Sequence, residues 1–239
     1  ITLAESPLDT QEIWAGTDDG NLQVTLNGGK TWTEVGQLLV KQFPSIGQNA
    51  SSPRGKRPWI SRVTPSAHVK GRCYVSLDNH RYDDMNAYVF VTDDYGKTWK
   101  SLQNNLPEYS VYVVREDPEN PDLLFVGTEQ GVLFSYNQGQ EWHELMGNMP
   151  TVAVYDLVIH PRDGDLIAGT HGRSIWILDD ISHLRQLNGQ ITKKPFHLFQ
   201  SRRSTRWLRI NTGRKQPLFE FRGQNPRSGA AIHLWINKS

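Results

Sequence analysis

Thr25-Leu26-Asn27-Gly28-Gly29-Lys30-Thr31-Trp32 recurs as Thr92-Asp93-Asp94-Tyr95-Gly96-Lys97-Thr98-Trp99, and in degraded form as Ser135-Tyr136-Asn137-Gln138-Gly139-Gln140-Glu141-Trp142. The shared frame is a hydroxyl residue, Asp or Asn two positions on, Gly at four and Trp at seven. A second repeat lies upstream of the boxes: Ala15-Gly16-Thr17, Val126-Gly127-Thr128 and Ala168-Gly169-Thr170 each close a short apolar run. Gly127 and Gly169 are 42 residues apart and Trp99 and Trp142 are 43 apart, so the unit is about 40 residues long. The interval from Trp32 to Trp99 is 67, and Gln37 to Pro58, rich in Ser, Pro, Gly and basic residues, reads as a long loop that takes up the excess.

Within a unit the apolar runs are short and numerous. Val111 to Val114, Leu123 to Gly127, Val132 to Phe134 and Glu141 to Leu145 give four strands in one repeat, which is the pattern of a propeller blade. The expected fold is therefore all-β: a partial β-propeller of about four four-stranded blades, at about 1–36, 59–103, 111–146 and 153–187. The last unit carries Ser174-Ile175-Trp176-Ile177-Leu178-Asp179-Asp180 where its box should stand. A linker or latch is expected over 188–216, with Arg202, Arg203, Arg206 and Arg209 around Trp207, and the start of a β-sandwich-like segment over 217–239, with strands at Phe219–Phe221 and Ile232–Ile236.

Composition agrees with this and excludes several classes. The 239 residues hold 26 Lys plus Arg against 25 Asp plus Glu, a net charge of +1 that offers nucleic acid no basic surface. No apolar run approaches the 18 residues of a membrane span. Gly (20), Pro (13) and 8 each of Trp, Tyr and Phe supply turns and broad side chains for pleated surfaces. Cys73 stands alone, so no internal disulfide forms. No His/Cys cluster has metal-ligand spacing and no phosphate loop or nucleophile elbow is present; neither metal nor cofactor is expected. The segment starts at Ile1 in strand-like sequence and is expected to be a piece of something longer.

The box chemistry is local. Asn27, Asp94 and Asn137 can accept hydrogen bonds from their own turn, with Thr25, Thr92 and Ser135 as partners; Gly29, Gly96 and Gly139 supply positive φ; Trp32, Trp99 and Trp142 re-enter the sheet and fill space. Two of the three boxes carry Asn, which cannot act as a general acid, so the boxes read as structural.

These boxes resemble the Asp-box (BNR) repeat, and Gly169-Thr170-His171-Gly172-Arg173-Ser174-Ile175-Trp176-Ile177-Leu178-Asp179-Asp180 resembles the sortilin-like propellers of large bacterial proteins labelled glycosyl hydrolase. Arg115-Glu116-Asp117-Pro118 and Asp156-Leu157-Val158-Ile159-His160-Pro161 fit the same family, over residues 1–187. The resemblance implies an exported, extracellular or periplasmic protein, similar to sortilin's luminal propeller and to xyloglucanases. It also implies a β-sandwich beginning near Phe221–Pro226, and polysaccharide or peptide, further blades and a downstream domain as partners.

Strand order places candidate sites. In an up-and-down blade the loops after strands two and four share one face and the boxes lie on the other. The second-strand loops hold Asp18 and Asp19; Asp78, His80, Arg81, Tyr82, Asp83 and Asp84; Glu129 and Gln130; and His171 and Arg173, with the 37–58 insertion beside them. Asp18, Asp19, Asp83, Asp84 and Glu129 are the candidate acid/base carboxylates, for which a glycosidase needs two about 5–10 Å apart, one of them titrating high. His80, Arg81, His171 and Arg173 are the candidate ligand-binding residues. Asp-rich turns also form without a substrate, so the expected role is binding or scaffolding, with a glycoside hydrolase as the alternative.

Overall fold

The computed structural model describes residues 1–145, 147–204 and 229–237. The chain is an array of antiparallel sheets stacked side by side. The first blade is β1 (Thr2–Ser6), β2 (Asp9–Gly16), β3 (Leu22–Thr25) and β4 (Thr33–Glu34). It is followed by α1 (Gly36–Gln42) and a 3-10 turn at Pro53–Lys56, so part of the expected long loop is helical. The second blade is β5 (Trp59–Pro65), β6 (Cys73–Asp78), β7 (Tyr88–Thr92) and β8 (Lys100–Ser101). The third is β9 (Val111–Glu116), β10 (Leu124–Thr128), β11 (Gly131–Ser135) and β12 (His143–Glu144). Each pairs in strict meander order.

In the fourth blade, where four strands are expected, the described residues form three, β13 (Val154–Ile159), β14 (Leu166–Thr170) and β15 (Ile175–Leu178), and the chain then turns into α2 (Ser182–Gln186). The physical reason is the absent box. Without its Gly and Trp no turn returns the chain along β15; Asp180, at φ 62°, diverts it and accepts a hydrogen bond from the Ser182 N–H.

Beyond α2, β16 (Phe196–Leu198) pairs with β17 (Leu234–Ile236). Arg202 reaches Asp165 at 3.6 Å and Asp180 at 3.4 Å. The expected strand at Phe219–Phe221, the turn after it, Arg206, Trp207 and Arg209 lie outside the described residues.

Three apolar cores alternate with the sheets. Trp14, Leu22 and Val24 meet Ile60, Val63, Val75 and Phe90 between blades one and two. Tyr74, Val89 and Val91 meet Val114, Leu124 and Val126 between two and three. Val113, Phe125 and Phe134 meet Leu157, Leu166 and Ala168 between three and four, closed off by Ile181 and Leu184. Among the described residues the two outer faces have no such cover: Leu3 on blade one and Val158, Ile175 and Ile177 on blade four are exposed. Innermost strands β1, β5, β9 and β13 lie side by side, and hydroxyls on β5 stitch the second to the third: Ser61 Oγ donates to Val111 O (2.9 Å) and Thr64 Oγ1 to Val114 O (2.7 Å).

The three boxes form one turn. In each, the hydroxyl donates to the Asx side chain (Thr25 to Asn27 2.9 Å, Thr92 to Asp94 2.8 Å, Ser135 to Asn137 2.7 Å) and accepts from the box Gly N–H at 2.9–3.0 Å. The Asx oxygen in turn accepts the N–H of Thr31, Thr98 or Glu141. Burial opposes ionisation of Asp94, but the Thr98 and Thr92 hydrogen bonds outweigh it and hold the carboxyl below its usual range. A depressed folded value stabilises above the unfolded value near 3.9 and is lost as pH falls through the folded one. Asp94→Asn should therefore change stability at pH 7 by no more than about 0.5 kcal/mol, since sister boxes work with Asn, and should flatten the acid limb of the stability curve. Urea unfolding between pH 2 and 7 checks both.

Candidate functional site

The second-strand loops share one end of the molecule. The insertion joins them there: Ser51 N–H donates to Tyr82 O (2.7 Å), and Pro53, Arg54, Lys56 and Arg57 wall a cavity of about 570 Å³ with Asp18, Asp19 and Tyr82.

A sharper constellation lies on the inner strands. β5, β9 and β13 each carry a bulge against the second strand of their blade, which sets Ser61, Tyr112 and Tyr155 out of the pairing register. A bulge re-aims the side chain it carries. Tyr112 and Tyr155, 43 residues apart at equivalent positions, stack with ring centroids 4.3 Å apart and planes 12° from parallel. Tyr112 is buried and its hydroxyl donates to Glu129 Oε2; burial, then this bond, push the phenol well up, so it stays protonated. Tyr155 is 44% exposed.

Two imidazoles flank the pair. His80 meets Tyr112 edge-on at 6.1 Å, and His171 lies 5.3 Å from Tyr155. His80 Nδ1 is 2.7 and 2.9 Å from the two oxygens of buried Asp78, which also accepts the His80 N–H at 3.1 Å. This geometry assigns the Nδ1 proton to the bond with Asp78 and leaves Nε2 for another partner. Below the tyrosines, Arg62 and Arg115 converge on Asp156 at 3.1 and 2.9 Å, and Arg115 Nε donates to Leu157 O, tying blades two, three and four together. Burial, then repulsion from Arg62, bear on the Arg115 charge in the opposite sense to Asp156.

The expected site residues divide accordingly. His80, Glu129 and His171 are brought together. Asp84 is turned inward: it is buried and accepts from Asn79 Nδ2, Asn86 Nδ2 and Tyr88 OH, so it holds its own loop. Asp83 sits exposed at φ 60°, ending the 3-10 turn His80–Tyr82. Arg81 lies over the Trp59 ring at 4.5 Å. Asp18 and Asp19 belong to the insertion cavity. Thr17 first, and Asn21, hydrogen-bond the Asp19 carboxylate and hold it low, the reverse of what a proton donor needs. Arg173 is exposed and forms no side-chain hydrogen bond or ion pair among the described residues. The carboxyl pushed upward is instead Asp179, by burial and then the Asp165 charge, and it follows β15 at the box end.

Sequence reasoning missed Tyr112, Tyr155 and the pairing of Asp78 with His80. The available signal was the repeat itself, since both tyrosines follow a buried Val, Val111 and Val154, at the period of the boxes.

Known proteins bear on this architecture. No family model matches the chain. Over 107 residues it is 27% identical to the oligoxyloglucan-reducing end-specific xyloglucanase of Emericella nidulans, 45% of this chain but 11% of that protein. Among solved structures, YCF48 from Cyanidioschyzon merolae superposes with a TM-score of 0.53 at 17% identity, over 76% of this chain and 53% of that one. The glycoside hydrolase family 74 xyloglucanase of Xanthomonas campestris gives 0.51 at 14%, over 74% and 29%. The fold is that of a β-propeller. The chain spans a tenth to about half of the proteins it resembles. No described helix is long and apolar enough to cross a membrane.

Proposed function

We propose that this chain is a non-catalytic binding segment of a larger, exported β-propeller protein, and that its ligand, a polysaccharide, seats on Tyr155 between His80 and His171. The observation that carries the reading is the half-exposed Tyr155 ring, stacked on buried Tyr112 and beside His171, with His80, whose Nδ1 is committed to Asp78, edge-on to Tyr112. An aromatic platform with hydrogen-bonding groups at its edge suits a sugar, whose faces are apolar and whose rim is hydroxylated. Further blades and a downstream domain are its covalent or docked partners.

The resemblance to a xyloglucanase favours a second reading, hydrolysis. Against it, Glu129 accepts from Tyr112, Asp84 from three donors and Asp19 from two, so these carboxylates serve as hydrogen-bond acceptors. Incubation with xyloglucan and other plant and microbial glycans separates the readings. Retention of glycan without new reducing ends is expected; release of reducing ends at a rate lost in Glu129→Gln would establish the hydrolase.

A further inference from the structure

In blades two and three the box is docked onto the blade before it by three contacts that recur at equivalent positions. The box glycine presses on the first residue after the preceding outer strand: a Cβ on Gly96 would lie 2.8 Å from Val35 Cβ, and one on Gly139 would lie 3.2 Å from Leu102 Cδ1. The box Trp rings are buried, Trp99 at 4% and Trp142 at 3% exposure. Their main chain is clamped by an amide side chain of the preceding unit. Gln42 Oε1 accepts Trp99 N–H (2.9 Å) while its Nε2 donates to Trp99 O; Asn105 Oδ1 accepts Trp142 N–H (2.8 Å) while its Nδ2 donates to Trp142 O (2.9 Å).

Blade one carries the same box with all three contacts missing. Trp32 is 40% exposed, a Cβ on Gly29 would meet only the Trp32 ring at 3.9 Å, and among the described residues no amide bonds the Trp32 main chain. On the same face Leu3, which the ladder aligns with Val63 of blade two, is 68% exposed where Val63 is fully buried.

We propose that this face, centred on Trp32, Gly29 and Leu3, docks a further propeller blade. Its occupant presents an aliphatic residue directly after its outer strand, as Val35 and Leu102 do, and an Asn or Gln within the next seven residues that clamps Trp32. Among the described residues a second copy does not supply this through its free blade four, where no outer strand follows β15 and neither element is present. The inference concerns assembly of the ring and stands apart from ligand binding at the rim, so either can fail without the other.

The test is a tandem chain in which residues 1–58 are repeated ahead of Ile1, placing a Val35 and a Gln42 before blade one. Amide hydrogen exchange of Trp32 should slow at least a hundredfold relative to the unextended chain, and Gln42→Ala in the added copy should restore fast exchange while the Trp99 amide keeps its protection. Unchanged Trp32 exchange, or an added unit that stays unfolded and protease-sensitive, overturns the proposal. So does an unextended chain that dimerises with Trp32 protected, which would make a second copy the occupant.

Discussion

Replacing Trp99 by Ala will lower the unfolding free energy by about 3–5 kcal/mol, enough to unfold a marginal domain at 37 °C. The indole is nearly enclosed, meets Trp14 edge to face at 6.4 Å and 77°, and belongs to the core between the first two blades. Its removal leaves a cavity that β-sheets on both sides are too stiff to fill. The same substitution at Trp32 should cost about 1 kcal/mol or less, because that ring stands at an open face and gives up little packing when it leaves. Urea unfolding of the two variants checks the pair, and equal losses would contradict the stacked arrangement of blades.

A comparable loss, about 3–5 kcal/mol, is expected for Asp117→Ala. Asp117 is fully buried, accepts the N–H groups of Glu119 and Asn120 at 2.9 and 2.8 Å, and receives Arg185 Nε from α2 at 3.0–3.1 Å. Removing the carboxylate leaves a largely buried guanidinium with only the exposed Glu119, at 2.8 Å, strands two turn donors, and loosens the helix α2 that follows blade four. Asp163→Ala, at an exposed pair with Arg162, should leave the melting midpoint unchanged. Thermal unfolding distinguishes the two sites; a harmless Asp117→Ala would mean that α2 is held by its apolar contacts alone.

The boxes were readable because their chemistry closes within eight residues: Thr92, Asp94, Gly96 and Thr98 satisfy one another, and nothing distant can change that. What surrounds a box is another matter. Trp32 and Trp99 both end the run Gly-Lys-Thr-Trp, yet one is exposed and the other buried, since burial depends on the neighbouring blade. Blade four shows the converse: Ser174–Asp180 stand where its box should, and among the described residues no fourth strand follows β15.

The rim was half readable. Strand order sends His80, Glu129 and His171 to one end together with Asp18, Asp19, Asp83 and Asp84, but it does not say which way a loop side chain turns, and only the hydrogen bonds show Asp84 facing inward. Tyr112 and Tyr155 looked like ordinary strand residues. A bulge turns them out of the alternation, and a bulge is a property of pairing that no single strand displays.

The claim at the centre of this account is that a glycan rests on Tyr155, and calorimetric titration of the chain with xyloglucan oligosaccharide tests it most directly. Saturable binding is expected, falling at least tenfold in Tyr155→Ala and in His80→Ala, with the melting curve of Tyr155→Ala close to that of the parent and Arg173→Ala binding normally. Affinity unchanged in Tyr155→Ala and His80→Ala would contradict it and move the site away from the stacked tyrosines.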